Sequence, residues 1–238
     1  MKTILLLVFS LLLAAVAYPY LTYRKLLLNN PAEIAEAEEQ AKPSPTWSEV
    51  MTALRGNKRL MLYCAAMFAA LSCIAVLFVT VYENNRLLTD LRLLFLLAVI
   101  FTAAAVDFWS NIIPNELILT ALGARVLFWI GELVTLRGDF RALLLSDFLA
   151  CLIVVALFLI GVVIVKSGLG MGDIKLLLVM CLFQGFYGAV SSIFCSLLVA
   201  FFISIIALIT KKKTRKDTLP FAPAILAGTY LSVFLTGM

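Results

Sequence analysis

Apolar stretches close to the length of a membrane-crossing helix recur along the whole chain, near 3–23, 60–81, 91–107, 114–134, 142–165, 174–188, 189–210 and 219–237. A helix needs roughly 20 apolar residues to cross a hydrocarbon core of about 30 Å. Within that core each backbone polar group must be satisfied by the segment itself, which restricts spanning structures to helices and closed barrels. Composition points to lipid as the solvent: 63% of residues are hydrophobic and 14% charged, whereas soluble domains carry about a quarter charged residues. The expected fold is all-α, a polytopic integral membrane protein of about eight transmembrane helices.

The placement of basic residues orients the chain. Residues 1–17 have the outline of a signal peptide, with Lys2, an apolar run and Ala15-Val16-Ala17 before Tyr18. An outside N-terminus with a retained first helix puts 24–59, 107–114, 166–175 and 211–216 inside. Thirteen of the nineteen Lys and Arg then lie inside, five (Lys2, Arg86, Arg92, Arg137 and Arg141) lie outside, and Arg125 falls within a segment. The positive-inside rule favours this arrangement over cleavage, which would invert every later loop. The expected organisation is an N-terminal transmembrane helix over 1–28, a short cytoplasmic segment over 29–59 and a membrane-embedded core over 60–238.

In the cytoplasmic segment, Asn30-Pro31-Ala32-Glu33 reads as an N-cap, a first-turn proline and a capping-box glutamate. A helix is expected through Glu36, Glu38 and Glu39 until Lys42-Pro43-Ser44-Pro45 ends it. Its four glutamates either attract a basic peptide or form a solvated helix face. The run Lys211-Lys212-Lys213-Thr214-Arg215-Lys216 is a topology anchor beside anionic headgroups of the bilayer.

Absences narrow the chemistry. The chain has no histidine, which excludes His-based metal sites and Ser-His or Cys-His catalysis. Its five cysteines all sit in apolar runs without a Cys-x-x-Cys pair, as small buried hydrophobes do. No metal, other cofactor or nucleic-acid partner is expected.

A carboxylate at membrane depth costs at least about 2.5 kcal/mol on insertion scales, so each one needs a reason. Four candidates lie within or against apolar segments: Asp107, Glu132, Asp147 and Asp173. Glu132 and Asp147 fall near expected outer ends, where interfacial solvation suffices. Asp107 and Asp173 fall at inner ends in turn-forming sequence. The two intervening segments run out and back, so both aspartates emerge on one membrane face. Two carboxylates brought together can hold one proton between them. One then activates water while the other protonates a leaving amine, a division of labour that hydrolyses a peptide bond without metal or histidine.

Asp173 ends the run Ser167-Gly168-Leu169-Gly170-Met171-Gly172-Asp173 and is followed by Ile174-Lys175. The alternating glycines permit positive φ and close approach of a substrate backbone, which could pair by strand addition; a plain helix connection uses similar residues. Lys175 either holds Asp173 ionised or is an interfacial lysine. Gly185-Phe186-Tyr187-Gly188 reads as a turn only about 12 residues, or roughly 18 Å, beyond Asp173. Either that turn lies inside the membrane or Asp173 sits below the cytoplasmic surface.

Three patches resemble the type IV prepilin peptidases, GxGD aspartic proteases of the membrane. They are Asp107-Phe108-Trp109-Ser110-Asn111-Ile112-Ile113-Pro114-Asn115, Gly168 through Leu176, and Leu219-Pro220-Phe221-Ala222-Pro223, where Ala222 stands in place of the family's glycine. The resemblance runs from about residue 60 to the end. It implies a GxGD aspartic protease core in the inner (plasma) membrane. The activity it implies is cleavage of prepilin-like membrane protein substrates after the glycine that ends a basic leader, at the cytoplasmic face. By position Asp107 and Asp173 are the catalytic aspartates. Gly168, Gly170 and Gly172 shape the substrate strand, with Lys175, Pro114 and Asn115 beside it, while Pro114, Asn115, Pro220 and Pro223 set helix starts around the site. Residues 24–59 hold no cysteine and no glycine-rich nucleotide loop, so the Cys-rich methyltransferase region of many members is absent and peptidase activity alone is expected.

Two rivals come from other readings of the same aspartates. A transporter or proton relay would use Asp107 and Asp173 in sequence, but such folds show internal repeats with matching broken helices, and none stands out. A presenilin-like or signal-peptide-peptidase enzyme would show Tyr-Asp at the first aspartate, where this chain has Val106-Asp107. A preflagellin-cleaving relative stays open as an alternative within the protease class.

Overall fold

The computed structural model describes residues 1–28, 50, 57–136, 138–164, 170–209 and 221–238. The regular structure among them is helical: α1 (Lys2–Leu28), α2 (Lys58–Thr80), α3 (Leu87–Ser110), α4 (Asn115–Leu136), α5 (Phe140–Ile164), α6 (Met171–Ile209) and α7 (Ala222–Thr236). Six are long and apolar enough to cross a membrane, and α7 is a shorter apolar helix. The all-α, polytopic expectation holds. The helix expected after Asn30 and the basic run Lys211–Lys216 lie outside the described residues.

α3 is the axis of the bundle. Of its most apolar stretch 78% is buried, against 17–33% in the other five long helices, and it packs against α1, α2, α4, α6 and α7. One buried cluster joins Leu96, Ile100 and Ala103 of α3 to Ile118, Phe183 and Ile225. A second joins Leu93 and Leu97 to Leu6, Met67 and Phe78. Lipid tails are as apolar as leucine, so these contacts stabilise through close packing and dispersion more than through escape from water. The small run Ala103-Ala104-Ala105 lets neighbouring backbones come near α3.

α6 contains two expected segments in one run of 39 residues, and it turns back on itself at Gly185, where φ is 69° and ψ −172°. The contacts with α7 show the reversal. Before Gly185, Thr229 donates to Met180 and Gln184 donates to the Met238 carbonyl. After it, Ser191 pairs with Ser232 and Ser196 donates to the Ile225 carbonyl. Residue numbers on the two helices rise together in the first half and oppose one another in the second. The break thus falls at the first glycine of the expected turn, so the segments divide at 185 rather than between 188 and 189. A side chain at Gly185 would suffer the left-handed backbone and would also put a Cβ 2.8 Å from Ser146 Oγ. That hydroxyl accepts the Phe186 N–H at 2.9 Å, satisfying a donor freed by the break.

The bundle has two chemically distinct ends. At the one holding Gly185, Lys2 pairs with the fully buried Asp90 at 2.8 Å, and Asn85 donates to the Gly237 carbonyl. Glu132 and Asp147 correct the sequence reading, which left them to interfacial solvent: they are 3% and 1% exposed. Arg125 bridges them at 2.9 and 2.6 Å, Arg92 adds a second contact to Glu132 at 2.8 Å, and the Trp129 indole donates to Asp147 at 3.0 Å. The reason is register. α4 continues to 136 and α5 starts at 140, so both acids lie inside their helices and face the bundle interior, within reach of Arg125. Asp90 escaped notice because the segment expected to start at 91 begins at 87.

Candidate active site

At the opposite end, Asp107 occupies the last turn of α3. Its carbonyl accepts the N–H of Asn111, whose φ of 51° makes it a left-handed C-cap. Asparagine tolerates that conformation because its short polar side chain can bond locally. The cap stops α3 and sends residues 112–114 toward α4, which starts just after Pro114. Asp173 lies in the first turn of α6, where Gly170 acts as the cap: its carbonyl accepts the N–H groups of Asp173 and Ile174 at 3.0 and 3.4 Å. An acidic residue in a first turn also suits the positive end of the helix dipole.

Gly172 draws these two ends together. A Cβ there would sit 3.2 Å from Ile113 Cβ, in the connection that follows Asp107. A Cβ on Gly170 would sit 3.0 Å from an oxygen of Asp173. The value of both glycines is therefore close approach. This corrects the expectation of positive φ, since among the described residues only Gly185, Gly237 and Asn111 have it; Gly172 is already inside the helix, where the backbone is right-handed. Gly168 and Pro220 lie outside the described residues.

The two carboxylates are near enough to interact electrostatically. Asp107 is 4% exposed and its Oδ2 accepts the backbone N–H of Ala222 at 3.1 Å, whereas Asp173 is half-buried. Among the described residues neither has a basic side chain as a salt-bridge partner. Lys175 does not neutralise Asp173; its ammonium donates to Asn115 Oδ1 at 2.8 Å, tying α6 to the start of α4. Pro114 and Pro223 stand at the starts of α4 and α7, as expected. The C-terminal part of α1 borders the same end, where Arg24 pairs with Glu116 at 3.5 Å and the Lys25 ammonium lies 5.9 Å from the Trp109 ring. Among the described residues no group of three or more acidic or thiol side chains is placed to hold a metal ion.

Fold and site together define a polytopic, all-helical membrane protein that holds two aspartates where the end of one helix meets the start of another. Residues 94–209 match the type IV leader peptidase family, whose members are proteases. The match takes in Asp107, Pro114, Asn115 and the glycine block with Asp173. It is narrower than the resemblance expected from about residue 60 onward and stops short of Phe221-Ala222-Pro223. Comparisons with curated proteins and with solved structures returned no match.

Sequence reasoning singled out both aspartates as candidates but missed the contacts around them: Ile113 against Gly172, and the Ala222 N–H on Asp107. The second had a visible signal, a proline one residue after Ala222 that marks a helix start whose first N–H groups seek acceptors.

Proposed function

We propose that the chain is an aspartic prepilin leader peptidase in which Asp107 and Asp173 hydrolyse the bond after the glycine ending the basic leader of a type IV pilin-like precursor. The observation that carries this reading is the convergence of the two helix ends that hold Asp107 and Asp173, both free of basic partners among the described residues and both inside the stretch matched to the leader peptidase family. One carboxylate takes a proton from water as it attacks the scissile carbonyl. The other donates a proton to the departing amine, so the pair is restored with no metal or cofactor. The glycine block would then let the backbone of an extended substrate come close beside Asp173. Lys175 and Asn115 then flank the substrate.

The depth of the site suits a precursor whose leader precedes a membrane helix. The first half of α6 and the whole of α7 rise about 21 and 22 Å at 1.5 Å per residue, less than a bilayer core. Both reach the end marked by Gly185 and Met238, which favours aspartates submerged at the other face over a turn buried mid-membrane. The charge distribution supports an outside N-terminus and a cytoplasmic active site in the inner membrane. Pilus assembly and protein secretion are the processes that consume such products.

The test is cleavage of a prepilin-like precursor in liposomes by the wild type, Asp107→Asn and Asp173→Asn, with matched melting curves. The expected result is cleavage after the leader glycine by wild type and none by either variant. A variant cleaving near the wild-type rate removes that aspartate from the mechanism. A wild type that cleaves no pilin-like precursor moves the transporter reading forward.

A further inference from the structure

The start of α7 spends its one free backbone donor on Asp107. The first N–H groups of a helix have no intrahelical acceptor. In α7 the second residue, Pro223, has none to offer, and those of Ala224 and Ile225 both bond to the Phe221 carbonyl at 3.0 Å. Ala222 is left, and its N–H reaches Asp107 Oδ2 at 3.1 Å with Ala222 0% and Asp107 4% exposed. An unmade bond at that depth would strand a donor without water. The contact links residues 115 positions apart.

We propose that Ala222 is a positioning residue: its N–H fixes the rotation of the Asp107 carboxylate, occupies Oδ2 and leaves Oδ1 to face Asp173 and the attacking water. The proposal rests on the two-aspartate reading for its consequence in catalysis, although the bond itself does not depend on it. Phe221-Ala222-Pro223 thereby gains a chemical purpose. Pro223 starts the helix and removes a rival donor, and residue 222 must be small because its slot is closed and must keep its N–H. The side chain itself does nothing, so glycine serves equally at this position.

Two measurements test this. In wild-type protein labelled with 15N-alanine, the Ala222 amide is assigned by its disappearance in Ala222→Gly and followed through a pH titration. It is expected to shift as Asp107 titrates and to lose that titration in Asp107→Asn; an Ala222 amide blind to Asp107 overturns the proposal. In the cleavage assay, Ala222→Gly is expected within about threefold of wild type. Ala222→Pro, which lacks the N–H, should lose about 100-fold in kcat with KM within threefold, the scale expected when a reacting group is misplaced. A folded Ala222→Pro with wild-type kcat overturns the proposal. Where Ala222→Pro does not fold, or where wild type cleaves no precursor, the amide titration decides alone, so failure of the bond and failure of the peptidase reading remain separate results.

Discussion

The molecule buries carboxylates at both ends of its bundle and treats them in opposite ways. At one end Glu132 and Asp147 are locked by Arg125, Arg92 and Trp129 at 2.6–3.0 Å. Arg125 also lies over the Trp129 and Phe183 rings, its guanidinium carbon 5.1 and 5.7 Å from their centroids. At the other end Asp107 receives a single backbone N–H and no cation among the described residues, and Asp173 sits close by. All four lie in helices long and apolar enough to cross a membrane, where a carboxylate is costly. A carboxylate matched by guanidinium groups has its charge neutralised and its lone pairs filled, which leaves it inert. One left without a cation keeps its proton chemistry, and the surrounding packing has to bear the cost. Burial in an apolar helix alone therefore does not single out an acid for chemistry; on the proposed two-aspartate reading, the distinguishing feature is burial without a neutralising partner among the described residues.

The comparison breaks most sharply under paired substitutions. Asp107→Asn is expected to reduce cleavage by at least ~10³-fold, the upper range for a lost general acid or base, while the melting temperature barely moves because the amide oxygen still accepts from Ala222. Arg125→Met should do the reverse. It strands Asp147 with only Trp129, at a cost of about 3–5 kcal/mol, read as loss of folded protein in detergent. Adding Asp147→Leu to Arg125→Met should restore part of that stability, because removing a whole buried pair costs far less than breaking it. If Arg125→Met is as stable as wild type, the cluster does not hold that end of the bundle together.

A smaller effect is expected at the reversal that connects the two ends. Gly185→Ala places a Cβ on a left-handed backbone, worth about 1–2 kcal/mol, and against Ser146 Oγ. Because the first half of α6 runs from Asp173 to the break at Gly185, a shift at the break reaches the site, and kcat should fall about tenfold along with stability. The milder Ser146→Ala, which orphans the Phe186 N–H but leaves the backbone free, should cost about 1 kcal/mol. Denaturation in detergent and the cleavage assay read both effects.

These contrasts also explain what the sequence could reveal. Apolar run lengths set the helices to within a few residues, since lipid demands closed backbone hydrogen bonding over a fixed thickness. Asp107 and Asp173 stood out because turn-forming residues surround them and two intervening spans return the chain to the same face. Glu132 and Asp147 misled because their partner is a spatial fact: Arg125 reaches Asp147 only once α4 and α5 are packed. Ala222 was signalled only in part: Pro223 marks a helix start with free N–H groups, but that Asp107 is the acceptor is again a spatial fact. The glycine block was legible as unusual but not as to purpose; close packing of Gly172 on Ile113 and left-handed backbone call for the same residue.

Lys175 gives the finest discrimination between the ends. Were it a counter-ion like Arg125, its removal would destabilise the protein by several kcal/mol and change how Asp173 behaves. Its ammonium instead donates to an exposed Asn115 side chain at 2.8 Å, and exposed contacts of this kind contribute about 0.5 kcal/mol or less. Lys175→Met should therefore melt with wild type and keep its kcat. If Lys175 contacts substrate, KM alone should rise, by roughly threefold to tenfold, since an interaction equal in ground and transition states changes only binding. Asn115→Ala should then match it, because the two side chains act as one hydrogen-bonded unit. A kcat loss in Lys175→Met comparable to that of Asp173→Asn would instead return the lysine to Asp173 and make the two ends of the bundle chemically alike.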